Sequence, residues 1–139
     1  MYKLFFLGII LIMCQCKSSG PKEDIPYPAT SITFGRGGGF TGMTKSYTLY
    51  EGGSLYLDDA SNRHEETLFQ INKNQSKQLF QIYDQMNFLD YDIQLPGNYY
   101  NFVTYSNSNK KHKIIWTDDR DVPKEMVIFF EMLNKLVQD

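Results

Sequence analysis

The chain has 139 residues and a formal net charge of −2, from 14 basic and 16 acidic side chains. That length holds one globular domain rather than two, and the near-balanced charge excludes a nucleic-acid footprint and an acidic low-complexity tail alike. Its 2 cysteines both precede Lys17, so no disulfide staples the folded part and the core alone must hold it.

Met1-Tyr2-Lys3 is a short cationic start, and Leu4 to Met13 is an apolar run broken only by Gly8. This is the layout of a secretory signal. The run is far shorter than the roughly 20 residues a membrane-spanning helix needs. It ends on a cysteine, and Leu11-Ile12-Met13-Cys14 resembles the lipobox of bacterial lipoproteins, with Met13 where a small residue is usual. The resemblance implies that Cys14 becomes the lipidated first residue of the mature chain, with Cys16 as the alternative. Residues 1–13 are then a signal peptide and 14–30 a lipidated amino terminus with a flexible tether. The remainder, 31–139, is a single exported domain held at the cell envelope, most naturally at the outer membrane. An ordinary signal with incidental cysteines is the competing reading. Lys17 to Ala29 is polar, carries Pro21, Pro26 and Pro28, and reaches at most about 45 Å.

Ile32 and Phe34 alternate with Ser31 and Thr33, the pattern of a half-buried strand, which the glycines from Gly35 onward are expected to interrupt. A second strand is expected over Met43 to Tyr50, and Glu51-Gly52-Gly53 turns it into a third through Leu55 and Leu57. Asp58 to Arg63 reads as loop, and Thr67, Phe69 and Ile71 as a short fourth strand. Asn72 with Gln75 has the form of a capping box. The helix behind it places Leu79, Ile82, Tyr83 and Met86 on one face and should stop near Asn87. Phe88 and Leu89 return to the core. Asp90 to Asn98 reads as an exposed loop turning at Pro96-Gly97. Tyr99 to Tyr105 and Lys111 to Thr117 form a hairpin about Asn107-Ser108-Asn109. Asp121 and Pro123 sit where a cap and an early helical proline belong, ahead of a last helix with Met126, Phe129, Phe130, Leu133, Leu136 and Val137 on one stripe. The order β-β-β-(β)-α-β-β-α predicts a two-layer α+β domain, one antiparallel sheet of five to six strands with both helices on one face.

Gly37-Gly38-Gly39-Phe40-Thr41-Gly42 matches G-x-G-x-x-G formally, but a dinucleotide site needs a helix directly after it, and a β-alternating segment follows here. In context, Gly38-Gly39-Phe40-Thr41-Gly42 resembles the G-G-F-[AT]-G loop of emfourin-type inhibitors of thermolysin-like metalloproteases. Those proteins open with a strand, this loop and a second strand, then continue through helix, hairpin and final helix. The resemblance covers Ser31 to Val137 by element order more than by identity, and includes His112, Ile114 and Pro123. Small lipoproteins of the Bacteroidetes with the same loop and an Ile-x-Trp strand, here Ile114-Ile115-Trp116, look closest. The resemblance implies a binder that occupies a protease cleft, with Arg36, Gly37, Gly38, Gly39, Phe40, Thr41 and Gly42 as the partner-binding residues. Glycines leave backbone groups uncovered for edge-type hydrogen bonding, and Phe40 and Arg36 are residue types that dominate interface hot spots. The structural alternative is that the glycines form a bulge or wide turn and Phe40 caps the core.

No catalytic constellation emerges. His64-Glu65-Glu66 lacks the second histidine of H-E-x-x-H, and a zinc site would have to join His64, His112 and carboxylates. Asp118, Asp119 and Asp121 lie near His112 by strand geometry but suit turn and cap positions better than acid–base work. No nucleophile elbow is present. The expectation is a non-enzymatic protein-binding domain without metal, cofactor or nucleic acid, bound to a membrane through lipid and to a protein, a metalloprotease by the resemblance. The rival is a structural or assembly lipoprotein of the envelope.

Overall fold

The computed structural model describes residues 29–138 other than 41, 43 and 60–64, and only the backbone of 58–59 and 65–69. Both cysteines, the signal and tether before Ala29, Thr41 and His64 lie outside the described residues.

The elements run β1 (Ser31–Gly38), β2 (Thr44–Tyr50), β3 (Ser54–Asp59), β4 (Glu65–Gln70), α1 (Lys73–Gln85), β5 (Tyr99–Ser106), β6 (Lys111–Trp116) and α2 (Lys124–Lys135). The strands form one antiparallel sheet in the order β4-β3-β2-β1-β5-β6, with both helices on one face, the expected α+β class. Hairpin-linked strands occupy one half, and α1 carries the chain across the face to place β5 on the far side of β1. Among the described residues no helix is long and apolar enough to cross a membrane.

Side-chain alternation explains the layering. Ile32, Phe34, Leu49, Leu55, Val103, Ile114 and Trp116 are fully buried on the helix face, while Thr33, opposite Thr48, bonds it hydroxyl to hydroxyl at 3.0 Å on the other. From above, α1 contributes Leu79, Phe80 and Tyr83, and α2 contributes Met126, Phe129, Phe130 and Leu133. Each large apolar side chain buried this way contributes about 1.5–3 kcal/mol. The whole core cluster and the residues packed on it lie between Ile32 and Val137, so a chain beginning at Lys17 keeps all of it. Asn72 caps α1 by accepting from the Asn74 amide, and the buried Ser76 hydroxyl donates to the Tyr50 carbonyl at 2.9 Å, tying the first turn of α1 to the end of β2.

Several boundaries differ from expectation. β1 does not stop at Gly35 but runs to Gly38. At Gly35 the Lys45 carbonyl comes too close for any side chain, and the Tyr100 ring lies over Gly37, so these glycines serve close approach inside a strand rather than breaking it. β3 takes in Asp58 and Asp59, and β4 begins at Glu65, because cross-strand pairing carries polar residues that alternation alone reads as loop. Met86 is exposed and Phe80 takes the core position. Asp121 does not cap α2. It belongs to a 3-10 turn, Asp119–Asp121, that Asp118 caps, and Pro123 is itself the residue before α2.

The stretch after α1 is more than an exposed loop. The Leu95 amide donates to the Ile115 carbonyl at 2.9 Å, and the Ile115 amide donates to the Ile93 carbonyl at 2.9 Å. Gln94 thereby bridges Ile115 in parallel, and its side-chain amide donates to the Lys113 carbonyl. The outer edge of β6 is covered by this strap at Ile115 and at the Lys113 carbonyl.

Candidate functional site

The turn between β1 and β2 is built from backbone. Gly38 pairs with Tyr99 at the end of β1, with φ 99° and the Asn98 carbonyl where a side chain would stand. The Gly39 amide donates to that same carbonyl at 2.6 Å, and the Gly42 amide donates to the Gly39 carbonyl at 3.0 Å. The second bond closes a four-residue β-turn with Phe40 at its first central position. Gly42, at φ 62°, leads out of it. The Asn98 carbonyl is itself positioned, because the Gly97 amide donates to Thr117 Oγ1 at 2.6 Å and that hydroxyl donates to the Leu95 carbonyl at 3.3 Å. The turn is therefore pinned to the far end of β6 through three short segments.

Phe40 stands at the tip, fully exposed at 105% of its reference area. It does not cap the core, since the turn carries it beyond the end of the sheet. Beside it the Tyr99 ring lies against Gly39 and is 68% exposed. Tyr99 reads in the sequence as one more strand residue. The register that sets it opposite Gly38 is what brings it to the turn, and the nearby Pro96-Gly97 is the only local signal. Arg36 is exposed on the helix face, with its guanidinium 5.8 Å from the centroid of Phe130. The structure thus brings Arg36, Gly37, Gly38, Gly39, Phe40 and Gly42 together at one end of the sheet, with Thr41 outside the described residues.

The acid–base grouping considered around His112 is not assembled. His112 pairs with Tyr105 and Trp116 with Asn101, which puts the histidine about 13 Å along β6 from the aspartates that follow Trp116. Asp119 instead accepts from Trp116 Nε1 at 2.9 Å, and Asp118 holds the Arg120 guanidinium. That exposed pair pulls the Asp118 carboxyl down to about 2, through hydrogen bonds from the Arg120 side chain and amide, and raises Arg120 in turn. Among the described residues no three of His, Cys, Asp and Glu are grouped to hold a metal ion.

A concavity of about 450 Å³ lies between the helices, lined by Ile71, Leu79, Ile82, Met132 and Leu136 with Gln75, Gln78 and Lys135 among them. Its lining is mixed apolar and polar, and carries no group that points to a particular ligand.

No protein-family model matches the chain, and no curated protein sequence matches it.

Proposed function

We propose that this chain is an exported, lipid-anchored, non-enzymatic domain that binds another protein through the Gly38–Gly42 turn. A thermolysin-like metalloprotease is the partner implied by the emfourin resemblance. The observation that carries the reading is Phe40, a large apolar side chain left wholly in water at the tip of a turn whose backbone is pinned to Asn98. Burying such a ring is favourable by about 1.5–3 kcal/mol, and a turn already fixed loses little freedom on binding. Tyr99 widens the same surface. The sheet also sets its direction. β1 has 8 residues, so the turn stands about 26 Å from the point where the chain enters the sheet, and an anchor at the amino end holds Phe40 away from the bilayer.

The test is to add residues 17–139, and the same chain with Phe40→Ala, to a panel of thermolysin-like proteases and measure residual activity. Inhibition by the first and not the second is expected. If neither inhibits any member at micromolar concentration, the protease reading is lost. Capture from detergent-solubilised membranes then separates a different protein partner from an envelope assembly, and the mass of the mature amino terminus reports lipidation at Cys14 or Cys16.

A further inference from the structure

A four-residue turn is a small interface by itself. An aromatic side chain such as Phe40 buries about 200 Å² when covered, whereas a stable complex covers about 800 Å² on each partner. A partner that grips the turn must therefore also cover what stands next to it. Toward β6 that neighbour is residues 94–99, every one of them exposed. Its large apolar groups are Tyr99 and Leu95, the latter 50% exposed. Leu95 precedes Asn98 by three residues, which keeps it within about 11 Å of the carbonyl that holds Gly39.

An exposed loop ordinarily loses freedom when a partner orders it, but this one is already fixed. The Leu95 amide donates to the Ile115 carbonyl at 2.9 Å. Thr117, just past the end of β6, accepts from the Gly97 amide at 2.6 Å and donates to the Leu95 carbonyl at 3.3 Å. One hydroxyl thus clamps both ends of Leu95-Pro96-Gly97, and the next residue, Asn98, accepts from Gly39 at 2.6 Å. The amides of Gly39, Gly42, Leu95 and Gly97 are all engaged within the molecule, and Pro96 has none. What the two loops offer a partner is side chains rather than a row of free amides to pair with.

We infer that residues 94–99 are a second partner-contact loop, coupled to the Phe40 turn through Thr117 and Asn98, and that the partner is a protein with an apolar cleft that takes Phe40, Tyr99 and Leu95 together. The inference rests on the reading of the turn as a binding surface. It adds a second loop, the character of the surface that receives both, and Thr117 as the positioning residue that sets where Leu95 and, through Asn98, Gly39 stand. Apolar groups on fixed backbone also suit insertion into a bilayer. A protein is favoured because the turn lies at the opposite end of β1 from Ser31, where the chain, and with it an amino-terminal anchor, enters the sheet.

The experiment compares residues 17–139 with Leu95→Asp, Thr117→Val, Thr117→Ser and Phe40→Ala. Hydrogen exchange followed by NMR reads the coupling with no partner present. Thr117→Val should speed exchange at the Gly39 amide about tenfold, and Thr117→Ser, which keeps the hydroxyl, should not. Unchanged exchange at Gly39 in Thr117→Val would overturn the inference. Binding is then measured to the thermolysin-like proteases and to detergent-solubilised membrane proteins, with phosphatidylglycerol vesicles as a separate arm. Leu95→Asp should weaken protein binding at least about tenfold, with unchanged exchange in the core strands verifying its fold. Thr117→Val should weaken binding as well, and Thr117→Ser should retain it. A preference for vesicles over protein would also overturn the inference. If Phe40→Ala loses the partner while Leu95→Asp keeps it, the second loop falls and the turn reading stands. If the unaltered chain binds no protein, the turn reading falls and the second loop with it.

Discussion

Tyr83 donates its phenolic hydrogen to Nδ1 of His112 across 3.1 Å, at the junction of α1, β6 and the strap. The direction follows from the other side of the ring. Nε2 lies 2.8 Å from the Tyr91 carbonyl, which only accepts, so Nε2 bears the hydrogen and Nδ1 offers its lone pair. Tyr83 is meanwhile enclosed by aromatic neighbours, stacked on Tyr105 at 5.1 Å and tilted or edge-on to Phe88 and Phe129. One buried hydroxyl and one imidazole thus register a helix, a strand and the strap against each other.

Alkaline conditions should expose this arrangement. Burial pushes the Tyr83 hydroxyl above its ordinary 10.0. Above that pH the unfolded chain releases the proton while the folded chain keeps it, so the folded state binds more protons and stability falls as pH rises. Urea unfolding between about pH 8 and about pH 11 should show the decline. In Tyr83→Phe the decline should shrink, and the variant should be about 1–3 kcal/mol less stable at neutral pH, because Nδ1 loses its donor.

The exposed carboxylate behaves differently. NMR titration should find the Asp118 carboxyl changing at about 2, and Arg120→Ala should raise it only part of the way to the ordinary carboxylate range, because the backbone amide at position 120 still donates to it. Its folded value is depressed, so any stabilisation it gives is present at neutral pH and lost as the carboxyl is protonated on acidification. At a fully solvated pair that loss should leave the melting temperature almost unmoved.

Two glycines of the turn should respond unequally to alanine. Gly38→Ala combines φ 99° with a collision against the Asn98 carbonyl, and should cost more than about 2 kcal/mol. At Gly42 nothing lies within 4 Å of a built side chain and φ is 62°, so Gly42→Ala should cost about 1 kcal/mol. Equal losses in thermal unfolding would contradict the pinned turn described above.

The two faces of α2 offer the same kind of contrast. Leu133 is fully buried and Ile128 is 57% exposed. Leu133→Ala should cost about 2–5 kcal/mol and Ile128→Ala within about 0.5 kcal/mol, both read from denaturant midpoints. A Leu133→Ala protein as stable as its parent would mean that α2 does not pack as described.

Element types, their order and the stripe on α2 were legible because burial on one side leaves a period in the chain. What escaped the sequence depends on neighbours remote along it. Gly35 and Gly37 look like breakers until the Lys45 carbonyl and the Tyr100 ring are seen beside them. Asp58 and Asp59 join a strand because β2 is there to pair with. Phe80 and Met86 both fall near the apolar arc of α1, and only the position of Tyr105, 6.5 Å from Phe80, decides which is covered. At the site, the glycine motif named the turn, but Tyr99 enters through register with β1, which no local pattern encodes.

The strap along β6 has a further effect on how copies of this molecule meet. A ribbon with hydrogen-bonding groups free along both flanks can add subunits without limit, whereas here the Trp116 end of one flank is occupied by residues 93–95. Backbone pairing along that flank is confined to its Lys111 end, a shorter ladder for a second copy to join.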